Sequence, residues 1–457
     1  MPFQPDATHT RWLVDTTKEL VAIPSHMREG ELQKLALIRR RLEAEGGYLT
    51  GNQALHFTSL PNDADPQVLV VEKGSEKARH RVVIDAHVDT VEHISKGDKD
   101  QDDWPGRFTL REAGDKLVGM GVYDMQTAIA ILMWSLLNID LPDDVRLTAA
   151  FPCDEEVDSK GAMAFIEYLR QQLHARVNTW VSSEVGPQHP NDNDRRQQII
   201  IARPGVLKVH GKITVAQSSN HGALRDMPNA AAAYRHLMNF LEEEFNPRQV
   251  GESERPYHAN SHPYLGDDWV SEVFADVDNR SVLTAPQKMK FGYKVFLVPP
   301  EKPDDNFSLD AALAVQKACV DEVALRRDWS TKRIGAELNK DTLRTSYPPF
   351  FTSPDHAIIK AMAEQAEIVC HPGVTARVTG GSSNADPNLF YEFLRQQQTA
   401  LRLDPRDAGV IFGMPYDGAN AHAKLEYASK KSAMNNCELY RRLLQEVIPR
   451  LLQGSTA

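Results

Sequence analysis

Val82-Val83-Ile84-Asp85-Ala86-His87-Val88-Asp89-Thr90 is an apolar run that stops at a histidine and an aspartate two residues apart. Val, Val and Ile in succession read as a buried strand of a mostly parallel sheet. Side chains alternate along an extended backbone, so His87 and Asp89 point to one side where the strand leaves the sheet. Open α/β sheets bind ligands at the carboxyl ends of their strands, and an imidazole beside a carboxylate is the pair that fixes a metal-binding tautomer.

The same punctuation recurs downstream. Val145 to Phe151 reads as a strand and ends in Asp154-Glu155-Glu156; a strand around Trp180 to Ser183 ends in Glu184. Three acids directly after a buried strand are costly unless a cation compensates them. Strands are also expected at Gln67 to Glu72 and Arg81 to Ala86, with helices at Thr10–Ile23, Glu29–Glu45, Met125–Leu137 and Gly161–Leu173. Asp124 stands where the third helix would take its N-cap. Strands alternating with helices predict an α/β fold with crossover helices.

After Arg203-Pro204-Gly205 the pattern changes. A half-exposed strand at Val206–Ala216 and a helix at Asn229–Phe245 precede a loop over Asn246–Asp268. Strands near Ser281–Thr284 and Lys290–Val298, a helix at Ser308–Val323 and a strand at Arg333–Leu338 follow. Strand, helix, two strands, helix, strand is the ferredoxin-like order, which predicts an inserted domain. From Tyr347 the alternation resumes, with helices at Asp355–Ala366, Asn388–Leu394 and Met434–Leu452. The chain therefore divides into 1–204, an insertion at 205–343, and 344–457. A length of 457 residues requires more than one core.

Composition narrows the function classes. A net charge of −11 argues against a nucleic-acid partner, since phosphate binding needs basic surface. No apolar run reaches the roughly 18 residues needed to span a bilayer. The start, Met-Pro-Phe-Gln-Pro-Asp, has neither the basic nor the apolar part of an export signal. Cys153, Cys319, Cys370 and Cys437 are scattered without metal-site or disulfide spacing. A cytoplasmic location is expected, with no membrane partner.

His87, Asp124, Glu155, Glu156, Glu184 and His422 each sit at the end of an element that could reach one rim of the sheet. Two divalent cations about 3.5 to 4 Å apart need such a set: a bridging carboxylate, and one imidazole plus one carboxylate for each ion. Two M²⁺, three carboxylates and a hydroxide sum to zero charge, which permits burial. Glu155 is left over as a base.

The order of motifs resembles the dinuclear-zinc amidohydrolases and exopeptidases, the family of acetylornithine deacetylase, succinyl-diaminopimelate desuccinylase, aminoacylase and glutamate carboxypeptidase. His87-Val88-Asp89 is similar to its H-x-D, Gly121-Val122-Tyr123-Asp124-Met125 to its G-x-x-D-M, and Asp154-Glu155-Glu156 to its D-E-E. Glu184, the Ala421-His422-x-x-x-Glu426 run, and Gly380-Gly381-Ser382-Ser383-Asn384 in place of G-G-[ST]-[ST]-D complete the series. The resemblance implies a zinc-exopeptidase-like catalytic domain with an inserted ferredoxin-like lid that makes a homodimer. It implies that His87, Asp124 and Glu184 hold one ion and that Asp124, Glu156 and His422 hold the other, with Zn, Co or Mn suited to the donors. Asp89 would orient His87, Glu155 would act as general base, and His221 would come from the partner subunit to steady the oxyanion. Gly381, Ser382, Ser383 and Asn384 would line the substrate.

The expected reaction is hydrolysis of a carbon-nitrogen bond, most simply an amide, in a small molecule. Hydrolytic deamination of an aromatic or other amine is the alternative on the same site. An inactive scaffold is a third reading, opposed by the presence of Glu155 and all five presumed ligands. The chain departs from its exopeptidase relatives at Lys294-Val295-Phe296-Leu297-Val298-Pro299, where Phe296 replaces the carboxylate-gripping arginine of R-x-x-P. A phenyl ring favours an aromatic or apolar substrate end. Otherwise Arg280, Arg377 or Lys294 must hold the carboxylate.

Overall fold

The computed structural model describes residues 6–91, 104, 106–172, 176–186, 197–215, 230–245, 261–262, 265–267, 269–277, 288–299, 309–326, 334–338, 346–370, 375–381, 385–403 and 409–454. Two compact units result, one formed by residues 1–201 with 352–457 and the other by 202–351.

The first unit is built on a mixed sheet. Its strands run in the order His56–Leu60, Val68–Gly74, Val145–Pro152, His80–Asp85, Thr179–Ser182, Val410–Gly413 and Gln198–Arg203, with Arg377–Gly380 pairing to the last. His80–Asp85 lies parallel to both Val145–Pro152 and Thr179–Ser182, so three neighbouring strands end on one rim. Val68–Gly74 is antiparallel to Val145–Pro152, which makes the sheet mixed. The central strands bury both faces, as their Val and Ile content demands.

Helix Thr127–Asn138 is buried from Thr127 to Leu137 and packs on Ala7–Val21, Arg28–Gly46 and Lys430–Arg442. Lys160–Gln171 packs on Asp386–Leu401, where Trp180 stacks on Phe390 at 4.0 Å between ring centroids. A small sheet joins Arg111–Ala113, Lys116–Val118, Tyr427–Ser429 and Gly418–Ala419. It matters because the connection within its last hairpin carries His422 and Glu426.

The second unit is a four-stranded antiparallel sheet ordered Trp269–Val277, Lys288–Leu297, Gly205–Val215, Ile334–Leu338. With helices Ala230–Phe245 and Leu309–Arg326 this is the ferredoxin-like arrangement. Phe291, Tyr293, Val295 and Leu297 alternate into a core with Leu237, Phe240 and Cys319. Phe296 therefore points to the other face of its strand, where it is half-buried.

Several expectations shift. The second strand of the insertion is Trp269–Val277, whereas Ser281–Thr284 lies outside the described residues. Its register breaks between Ser271 and Phe274, and an irregularity of that kind erases the period-2 pattern on which a sequence reading depends. Part of the expected loop forms a short pair, Ser261–His262 with Gly266–Asp267. Helix Thr127–Asn138 starts later than expected, with Gln126 at its N-cap position, so Asp124 is not a cap. The four cysteines are free, and among the described residues no helix is long and apolar enough to cross a membrane.

Candidate metal centre

His87 follows the end of His80–Asp85, Glu155 and Glu156 follow Val145–Pro152, and Glu184 follows Thr179–Ser182. Parallel pairing carries these groups to the same rim. Asp124 reaches them from an irregular turn, Val122–Gln126, in which Asp124 and Met125 leave helical geometry (φ −116° and −140°). His422 arrives from the hairpin connection with a left-handed backbone, φ 60°. Asp154, Asn420 and Leu425, in the loops that carry Glu155, Glu156 and His422, are left-handed as well, and each such non-glycine residue costs on the order of 1–3 kcal/mol.

The polar atoms converge. His87 Nε2 lies 3.0 Å from Asp124 Oδ1 and 3.8 Å from Glu184 Oε2. His422 Nε2 lies 3.2 Å from Asp124 Oδ2 and 3.1 Å from Glu156 Oε1. One donor atom from each of His87, Asp124 and Glu156 lies within 4.8 Å of the others. The two oxygens of Asp124 thus face two different imidazoles, and each of those imidazoles faces a second carboxylate. Asp89 Oδ1 is 3.4 Å from His87 Nδ1, and its Oδ2 accepts the Glu156 N–H at 2.9 Å.

The electrostatics follow from this crowding. Burial acts to raise Asp124, but hydrogen bonds from His422 and His87 hold its carboxyl below the usual range. Asp124 and Glu156 lift His422 to about 11. His87 is lifted too, against burial, by Asp124 and Asp89. Burial and the Asp124 charge push Glu156 up to about 7, and burial with the Glu184 charge pushes Glu155 well above the carboxylate range. Glu155 Oε1 accepts the Asp386 N–H at 3.4 Å.

Not every expected site residue enters this cluster. His221, Ser382, Ser383, Asn384 and Arg280 lie outside the described residues. Gly381 is buried just after Arg377–Gly380, and Phe296 belongs to the second unit.

Glu426, the last member of the Ala-His-x-x-x-Glu run, has a role the sequence reading did not give it. Its buried carboxylate accepts the backbone N–H groups of Gly121 (2.8 Å), Tyr123 (2.8 Å) and Asp124 (2.9 Å). It therefore ties the Asp124 turn to the hairpin that carries His422. The available signal was a glutamate four residues after His422 in the Ala421-His422-x-x-x-Glu426 run.

A family profile described as peptidase family M20/M25/M40 matches residues 83–446. Comparison with curated proteins gives no match. Among solved structures, human carnosine dipeptidase 1 is similar at 16% identity and a TM-score of 0.61, with 97% of this chain and 98% of that one covered. Aminopeptidase PepT from Bacillus cereus is similar at 13% identity and 0.64, covering 96% and 99%. The Bacillus subtilis YXEP protein, described as a dinuclear metal-binding peptidase, is similar at 14% identity and 0.58, covering 96% and 99%. At these identities the neighbours establish the fold, and the profile, which spans most of the sequence, establishes the kinship: the chain belongs to peptidase family M20/M25/M40 and is a metal-dependent hydrolase of carbon-nitrogen bonds.

Proposed function

We propose that the chain hydrolyses an amide bond in a small peptide-like or N-acyl substrate, with two divalent cations held by His87, Asp124 and Glu184 and by Asp124, Glu156 and His422. The observation that carries this reading is the split carboxylate of Asp124, with one oxygen 3.0 Å from His87 and the other 3.2 Å from His422. A single imidazole N–H cannot satisfy two carboxylates well, whereas a cation between three such donors can. Zinc is the ion we favour, with cobalt or manganese compatible with the same donors.

When bound, the ions would polarise the scissile carbonyl and lower the pKa of water towards about 7. Glu155 takes a proton from the attacking water and returns it to the leaving nitrogen as the C–N bond breaks. Its raised pKa suits both halves of that transfer. Asp89 Oδ1 lies 3.4 Å from His87 Nδ1 and would orient the ring and fix its tautomer. We assign catalysis to 1–204 and 344–457 and dimerisation to 205–343, with His221 from a partner subunit at the oxyanion and Gly381, Ser382, Ser383, Asn384 and Phe296 along the substrate. A cytoplasmic location is consistent with four free cysteines.

The family does not favour deamination. The test is turnover of N-acyl amino acids, dipeptides and aromatic amines by metal-reconstituted protein. Paired release of an acid and an amine supports the proposal, and release of ammonia alone overturns it.

A further inference from the structure

Helix Arg28–Gly46 lies outside the stretch matched by the family profile, yet it touches the loops that follow His80–Asp85 and Val145–Pro152. Glu31 on its first turn accepts the Asp154 N–H at 2.9 Å, next to Glu155 and Glu156. One turn further, Lys34 is 1% exposed and donates from Nζ to Ser25 Oγ at 2.6 Å and to the Val88 carbonyl at 3.2 Å. That carbonyl also accepts Ser25 Oγ at 2.9 Å and Gln126 Nε2 at 3.3 Å. Among the described residues no carboxylate comes within ion-pair distance of Lys34; it feels Asp89, Glu31 and Glu426 through space. An ammonium group buried on these terms is expensive, so its placement asks for a reason.

The Val88 carbonyl is half of the peptide plane that joins Val88 to Asp89. Fixing that plane fixes the Asp89 backbone, and Asp89 in turn meets His87 Nδ1 at 3.4 Å and the Glu156 N–H at 2.9 Å. One side chain thereby governs an orienting contact to a ligand of each proposed ion. We infer that Lys34 is a positioning residue of the metal centre, holding the Val88–Asp89 peptide so that Asp89 aligns His87 and Glu156. The inference rests on the two-cation reading above.

The test is Zn²⁺ affinity, measured by competition with a chromophoric chelator, for the 457-residue parent, Lys34→Met, Ser25→Ala and the double variant after metal removal. Lys34→Met is expected to weaken Zn²⁺ binding by about 10- to 100-fold, the usual scale for losing a group that orients a ligand. The rise in Tm on adding Zn²⁺ should shrink with it, which a merely structural lysine would not cause. Ser25→Ala should weaken binding in the same direction and less than additively with Lys34→Met, because both act on one carbonyl. If Lys34→Met does not fold, Ser25→Ala decides alone. Affinities of the variants within about twofold of the parent overturn this inference and leave the metal reading standing. Failure of the parent to take up Zn²⁺ overturns both.

Discussion

Replacing Glu426 with alanine should destabilise the first unit more than most single substitutions. The carboxylate is 3% exposed and is the acceptor for three backbone N–H groups at 2.8, 2.8 and 2.9 Å. Each buried donor left without a partner costs roughly 1–3 kcal/mol, so the three together set a range of about 3–9 kcal/mol. Water entering the space left by the side chain moves the outcome towards the lower end. Relief from burying the carboxyl, which lifts its pKa to about 8, acts in the same direction. A loss of about 3 kcal/mol is therefore the working figure, a large share of the roughly 5–15 kcal/mol that holds a domain. Glu426→Gln keeps an oxygen for Tyr123 and Asp124 and turns its amide N–H₂ on Gly121, so it should cost about 1–3 kcal/mol. Urea unfolding of metal-stripped protein measures both, free of stabilisation by bound ion. The order should be parent, then Gln, then Ala, with Zn²⁺ affinity falling in the same order. An alanine variant within about 1 kcal/mol of the parent would refute the clamp.

Other outcomes follow from the site. Glu155→Gln should keep its metal and lose kcat by about 10²-fold or more, the scale of a general base; loss of metal with unchanged kcat per ion would make Glu155 a ligand. His422, lifted to about 11, is protonated in metal-free protein at neutral pH, so metal loading should release protons and apparent affinity should rise with pH. By linkage, the stability His422 gives the metal-free protein is full below about pH 6.5 and disappears as pH rises through about 11. Affinity independent of pH between 6.5 and 9 would contradict this. Phe296→Arg should shift kcat/KM from aromatic towards acidic substrates; if Phe296→Ala alters neither, that residue does not read the substrate.

The catalytic fold was legible because its decisive strands are short, apolar and punctuated by acids. Val82 to Ile84, Val145 to Phe151 and Trp180 to Ser183 each announce a strand and are followed within a few residues by the histidine or acids of the candidate site. His56–Leu60 and Gln198–Arg203 went unread, the first because it is half-exposed and has little apolar signal. Trp269–Val277 was obscured by its register break. Asp124 looked like a cap because Asp before an apolar helix usually is one; its turn leaves helical geometry, and its N–H donates to Glu426, 302 residues away. Lys34 was invisible for a similar reason. A lysine on an amphipathic helix is normally solvated, and only the fold brings it beneath Val88. Local pattern conveys the proposed ligands, while the groups that touch their loops are assembled by tertiary contacts.

The two-cation centre is tested most directly by counting. Metal-stripped parent and Asp124→Asn should be titrated with Zn²⁺ and their bound metal measured after removal of excess ion. The parent should hold two ions per chain, and Asp124→Asn should lose high-affinity binding of both, since its two oxygens face the two imidazoles. One ion per parent chain, or a variant that still holds two at parental affinity, would contradict the account.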